Sequence, residues 1–148
     1  VISSTPEYYF KFMRLFLNNG DANGNQFICS ETLELMKTNQ IGDLNYEFQP
    51  TYNPSLIHAH EWYPNIKKKF TYGFLTNLED MPGGRKAGSL AWSGICNTYF
   101  WIDPSSGIAG TAMMQLSPHY DKRCISILEA LEKASYSELD VLNNWSAT

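Results

Sequence analysis

The run from Gly88 to Leu116, GSLAWSGICNTYFWIDPSSGIAGTAMMQL, limits the possible folds more than any other part of the chain. Two apolar segments, near 97–103 and 108–115, flank the connector Asp103-Pro104-Ser105-Ser106-Gly107. Proline early and glycine last make this a hairpin turn, with the glycine supplying a positive φ. Both segments carry apolar residues on either face, Tyr99, Phe100 and Trp101 in succession, so the sheet must be covered on both sides. A third strand, near 87–93, comes just before and ends in small residues at Trp92-Ser93-Gly94. That stretch is either an ordinary bend in mid-sheet or an edge that faces a substrate.

Helices are expected on either side of this sheet. Ser4-Thr5-Pro6-Glu7 combines a hydroxyl cap, proline at the first helical position and an acid at the positive end. Tyr9, Phe12, Met13, Phe16 and Leu17 then repeat at i, i+3, i+4, i+7 and i+8, and Asn18-Asn19-Gly20 offers a left-handed stop. Ser30 can cap a short second helix with Leu33, Leu35 and Met36, which completes a helical segment over 1–38. From 39 to 68 the pattern dissolves into Gly, Asn, Pro, Tyr and His, a long loop of the kind that is usually functional or peripheral. Antiparallel strands are expected over 69–116, starting with KFTYGFLT at 69–76. A helix over 117–138 follows, capped by Ser117 or Asp121, with Cys124, Ile127, Leu128, Leu131 and Ala134 inward, and then a tail at 139–148. The fold class is α+β: an antiparallel sheet covered by helices, in one domain.

Composition narrows the function. The formal charge of −4 argues against a nucleic-acid partner, which needs a basic face. Lys67-Lys68-Lys69 reads as a solvated strand edge. No apolar run approaches the roughly 20 residues of a membrane span. Cys29, Cys96 and Cys124 are an odd number without metal-type spacing, which favours a reducing, cytoplasmic setting over a disulfide framework, with the periplasm as the alternative. Asn144-Trp145-Ser146 matches a glycosylation sequon, a tripeptide common by chance. The first residue is Val1, so a processed product or fragment is expected.

Several blocks in order carry a resemblance. ISSTPEYYFKFMRLFLNNGDANGNQFICSETLELMKTNQIG resembles the helical segment before the last strands of serine hydrolases of the class C β-lactamase and penicillin-binding-protein superfamily. FTYGFLTNLEDMPGGRKAGSLAWSGICNTYFWIDPSSGIAGTAMMQL is similar to their C-terminal strands, most closely in the esterase-like branch. The resemblance spans residues 1 to 138 and implies the C-terminal portion of a β-lactamase/transpeptidase-like fold. It places Trp92-Ser93-Gly94 at the strand that walls the active site, as the Trp-x-Gly version of Lys-Thr-Gly. It also makes the backbone N–H of Ile95 an oxyanion donor and Trp92 a flat apolar substrate wall. Trp62 and Tyr63, in the long loop, are further candidate groove residues. Lys86-Ala87-Gly88-Ser89 is a competing match to the same motif, and Tyr63-Pro64-Asn65 matches the superfamily's Tyr-x-Asn out of order.

The superfamily's nucleophile is a serine with lysine three positions on, and no Ser-x-x-Lys occurs in the 148 residues. Other constellations are weaker: Cys96 as a nucleophile on a core strand, His58, His60 and His119 as an incomplete zinc set, Glu79-Asp80 as an acid pair. No cofactor or metal is expected. The resemblance therefore implies the C-terminal segment of an enzyme hydrolysing a small ester or amide through an acyl-serine, inactive alone and completed by a missing N-terminal portion or by self-association. The alternative is a non-catalytic module that binds a ligand or partner on the same sheet edge.

Overall fold

The antiparallel meander over residues 90–113 is the frame on which everything else is hung. The computed structural model describes residues 3–146, with side chains from Ser3 to Leu139. Helix α1 (Pro6–Leu17), the small hairpin β1 (Asp21–Ala22) and β2 (Asn25–Gln26), and helix α2 (Ser30–Lys37) come first. Strands β3 (Lys68–Phe70), β4 (Leu75–Asn77), β5 (Leu90–Gly94), β6 (Thr98–Asp103) and β7 (Ile108–Met113) form one antiparallel sheet in sequential order. Helix α3 (Lys122–Ser146) closes the described chain. The α+β class and the sheet covered by helices are as the sequence implies.

The local reasons are visible. Thr5 caps α1, its Oγ1 accepting from the Tyr8 N–H at 3.4 Å, and Gly20 at φ 87° ends the turn after it. In the β6–β7 connector, Asp103 Oδ1 accepts from the Ser106 N–H at 3.1 Å and Gly107 adopts φ 68°. Asp121 caps α3 by accepting from the Arg123 N–H at 2.9 Å. Ser117 bonds instead to the Ser55 carbonyl at 3.4 Å.

Two cores flank the sheet. On one face Met13 and Phe16 of α1 and Leu33 of α2 meet Phe74, Leu90 and Ile102. On the other, Cys124 and Leu128 of α3, with Trp62 of the long loop, pack on Leu75, Ala91, Tyr99, Trp101 and Ala112. Alternation along β6 distributes the aromatic triplet: Tyr99 and Trp101 go to the α3 face, Phe100 to the α1 face.

Four expectations are corrected. Residues 69–76 are not one strand but the β3–β4 hairpin, folded at Thr71, whose N–H donates to the Phe74 carbonyl at 2.8 Å. Cys29, not Ser30, occupies the α2 cap, and its thiol meets Thr32 Oγ1 at 3.0 Å instead of a helix N–H. The inward stripe of α3 is Cys124, Leu128, Glu132 and Tyr136, while Ile127 and Leu131 are exposed. The helix extends through Ser146 in place of the tail expected from residue 139; the side chains of the Asn144 sequon lie outside the described residues. The observed stripe departs from the apolar pattern because it includes a buried Glu132. It is tolerated because Arg85 Nε, equally buried, donates to it at 2.8 Å.

The basic run is also not a solvated edge. Lys68 is 1% exposed, and its Nζ donates to the carbonyls of Tyr63 at 2.9 Å and Ile66 at 2.7 Å. Lys69 Nζ reaches the carbonyls of Gly42 and Leu44 at 2.9 and 2.7 Å. Two lysines of one short strand thus staple both limbs of the long loop to the sheet.

Gly110 of β7 faces Trp101 across the β6–β7 register, and a methyl group there would overlap the indole ring. Gly110→Ala should therefore displace Trp101 and destabilise the fold by about 1–3 kcal/mol, read as a lower denaturant midpoint. An unchanged midpoint would show that the ring has room to move.

Candidate functional site

Strand β5 is paired unequally. All five of its residues pair with β6, but only Leu90 and Ala91 pair with β4, opposite Thr76 and Leu75. Trp92, Ser93 and Gly94 therefore keep one hydrogen-bonding edge free of a neighbouring strand, the arrangement that lets a substrate backbone or carbonyl approach. Ile95 follows in the β5–β6 turn and is 51% exposed. Among the described residues no backbone or side-chain group accepts from its N–H. The turn is closed by Asn97 at φ 58°, the left-handed residue of a three-residue hairpin loop.

Gly94 has a second reason to be glycine. A methyl group there would meet Thr98 Oγ1, its register partner across the hairpin. Hairpin packing thus accounts for this glycine without any ligand, and the free edge, not the missing Cβ, marks the strand end.

Trp92 belongs to an aromatic wall. Its ring stands edge-on to Phe70 at 4.9 Å and to Tyr46 at 6.2 Å, and stacks against Trp62 at 6.5 Å and 18°. Trp62 is only 3% exposed and backs Trp92. Tyr63 turns away: its hydroxyl donates to Glu132 Oε2 at 3.0 Å, and Arg85 lies over its ring at 4.7 Å. Burial pushes that hydroxyl well above its ordinary pKa. The Tyr63-Pro64-Asn65 tripeptide consequently offers no phenol to the β5 edge.

Trp62 and Tyr63 do line an open cleft of about 590 Å³, bounded by the Met81–Gly84 turn and by Leu128, Glu129 and Glu132 of α3. Trp92, Ser93, Gly94 and Ile95 are not part of it. The sequence candidates thus divide into a β5 rim with Trp62 behind it and, through Tyr63, a separate cleft against α3.

The remaining candidates are dispersed. Lys86-Ala87-Gly88-Ser89 lies at the opposite end of β5, where Lys86 Nζ pairs with Asp80 at 3.0 Å and Ser89 bonds to Asn77. Cys96 is in the β5–β6 turn, partly exposed, and not on a core strand. His60 and His119 stand edge to face at 5.6 Å, but among the described residues no three His, Cys, Asp or Glu side chains converge to hold a metal. No described helix is long and apolar enough to cross a membrane.

Two residues to which the sequence gives no place at the rim, Asn97 and the zinc candidate His119, support it. Asn97 is fully buried: its Nδ2 donates to the carbonyls of Leu116 and Pro118, each at 2.8 Å, and its Oδ1 accepts from Tyr99 Oη at 2.6 Å and the Asp121 N–H at 3.0 Å. His119 Nε2 lies 3.3 Å from Ser93 Oγ. The legible signal for Asn97 was its place at the end of a short hairpin loop, where asparagine tolerates positive φ.

No family model matches the chain. It is 27% identical over 146 residues to an ML-236A carboxylate methylbutanoyltransferase of Penicillium citrinum, a match covering 93% of this chain and 33% of that protein. It is 33% identical over 75 residues to a monacolin J acid methylbutanoyltransferase of Aspergillus terreus, covering 49% of this chain and 18% of that one. A variant of simvastatin synthase from Aspergillus terreus superposes with a TM-score of 0.69 at 22% identity, over 93% of this chain and 34% of the other. The unliganded enzyme gives 0.67 at 22%, over 91% and 35%. The fold is the C-terminal part of the β-lactamase/transpeptidase-like fold. This chain spans 33% or less of the curated relatives it matches. The relatives named above are acyltransferases, whereas the resemblance in sequence implies hydrolysis.

Burial, reinforced by the neighbouring His60, lowers the His119 pKa from 6.5 to about 4. The folded protein thus resists a proton that the unfolded chain accepts. Stability attributable to this residue is complete above pH 6.5 and declines as pH falls toward 4, by up to ~1.4 kcal/mol per pH unit. Urea midpoints measured across that window should fall more steeply for the wild type than for His119→Phe. Parallel curves would show that His119 titrates normally.

Proposed function

We propose that this chain supplies the oxyanion-side strand and substrate wall of an enzyme that transfers acyl groups through an acyl-serine. The observation that carries this reading is the free edge of β5 at Trp92–Gly94, continued by an Ile95 N–H with no acceptor among the described residues. An acyl-transfer site needs such a donor at the position where the carbonyl oxygen becomes an anion.

The chemistry follows from that placement. A serine oxygen attacks the acyl carbonyl, and the Ile95 N–H with a second donor bears the charge of the tetrahedral intermediate. The serine proton passes to a base, which returns it to the departing sulfur or oxygen as collapse expels the thiol or alcohol and leaves the acyl-serine. A hydroxyl of the acceptor then attacks, gives up its proton to a base and releases the serine; water in its place gives hydrolysis. The serine and base come from polypeptide outside these 148 residues, which hold no Ser-x-x-Lys. Trp92, backed by Trp62, Phe70 and Tyr46, presents apolar ring surface to the neutral part of the substrate. The relatives' names, methylbutanoyltransferases acting on ML-236A carboxylate and monacolin J acid, support a short branched acyl group and an acceptor that carries a carboxylate.

The test uses the longer polypeptide encoded with this chain. It should carry Ser-x-x-Lys ahead of Val1 and transfer a methylbutanoyl group from a thioester to an alcohol. Ile95→Pro, at the first position of the turn, removes the N–H and should lower kcat about 10²–10³-fold with the far-ultraviolet spectrum unchanged. Ile95→Ala, which retains the donor, is the matched control for the side chain. Full activity in the proline variant would remove Ile95 from the oxyanion site. An upstream sequence without the motif would leave a non-catalytic binding module as the better reading.

A further inference from the structure

The end of β5 lacks a strand on one side, so something else must hold its twist. Ser93 pairs in register with Tyr99, and its Oγ meets His119 Nε2 at 3.3 Å. His119 is 7% exposed, with its ring against Tyr99 at 5.7 Å and 29°, and edge-on to His60 and Tyr120 at 5.6 and 6.2 Å. Its backbone is pinned twice: the N–H donates to the Leu56 carbonyl at 2.7 Å, and its carbonyl accepts from the His58 N–H at 3.0 Å. The backbone bonds tie His119 to the long loop, and the rings of Tyr99, His60 and Tyr120 pack around the imidazole.

The ring's tautomer follows from its surroundings. Nδ1 is buried and has no partner among the described residues. A buried orphan N–H costs more than a buried orphan lone pair, so the proton belongs on Nε2. Nε2–H then donates to Ser93 Oγ, and the Gly94 carbonyl is a second acceptor beside the same ring.

We propose that His119 is a positioning residue, acting through Ser93 to fix the free end of β5 and hence the direction of the Ile95 N–H. This rests on the oxyanion reading of Ile95 above. It assigns His119 the restraint that a neighbouring strand would otherwise give, applied from the sheet face instead of the sheet edge.

The experiment is an amide spectrum and ¹⁵N relaxation on the labelled 148-residue chain. His119→Phe keeps a ring against Tyr99 and deletes the donor; His119→Gln restores an N–H donor; Ser93→Ala deletes the acceptor and leaves the histidine packing alone. The Gly94 and Ile95 amides should shift, and their order parameters fall, in His119→Phe and Ser93→Ala. Both should return toward wild type in His119→Gln, while β7 amides stay fixed in all three. Unmoved Gly94 and Ile95 amides in Ser93→Ala, or a glutamine variant as perturbed as phenylalanine, would overturn the proposal. In the longer, nucleophile-bearing protein the same two deletions should lower kcat about tenfold and leave KM unchanged. Perturbed amides with undiminished kcat, together with an active Ile95→Pro, would fault the acyl-transfer reading and not the positioning role.

Discussion

The four hydrogen bonds of Asn97 tie together parts of the chain that share no secondary structure. One amide group joins the β5–β6 turn to the segment after β7, to the first residue before α3, and to the Tyr99 hydroxyl in the core. Every polar atom of the side chain is used, so a fully buried amide costs little beyond its ordering. Because Asn97 also takes the positive φ of the hairpin loop, the same residue sets the turn's shape and its attachment. Strand β5 leads into that turn, and α3 leaves from the segment it grips. The rim, the sheet and the covering helix are thereby mutually registered.

A second set of constraints comes from charge brought inside. Lys68 is buried with its ammonium on two loop carbonyls and Glu61 at 3.6 Å; burial lowers its pKa, and Glu61 acts in the opposite direction. Arg85 and Glu132 form a buried pair, with the Tyr63 hydroxyl on the same carboxylate. Such groups are expensive to desolvate and more expensive to separate, so they commit the loop to one path. That path runs through Tyr63 at φ 45° and Asn65 at φ 73°, conformations that non-glycine residues rarely adopt. The consequence for the candidate site is the placement of Trp62 behind Trp92.

How much of this was legible depends on the range of the interaction. Turn chemistry and helix caps are local, so the Asp103–Gly107 connector and the Thr5-Pro6 helix start could be read directly, and the α3 cap could be narrowed to Ser117 or Asp121. The α+β layering followed from aromatics on both faces of β6. Lys68 and Glu132 could not be read, because a charged residue looks solvated until its partner is known, and the partners are 5 and 47 residues away in sequence. Trp62 was legible as notable but not as buried, since only the fold of the long loop brings it against Trp92. The importance of the Trp92-Ser93-Gly94 edge came from resemblance. The unequal pairing of β5 is a property of β4's shortness that no pattern within β5 reveals.

These features share a logic at the rim. A hydrogen-bond donor contributes to stabilising a developing anion only if it already points there, since reorienting it during reaction would return the energy gained. A loop tip is ordinarily a poor place for such a donor, being mobile and weakly packed. Here the tip is short, its last residue is bonded to three other segments, and the strand that feeds it is held by a buried imidazole. Rigidity is thus imposed from behind, by Asn97 and His119, and the front of the strand stays unpaired. On the proposed reading that asymmetry is what the chemistry requires: a surface stiff enough to be pre-organised yet open where the carbonyl must enter.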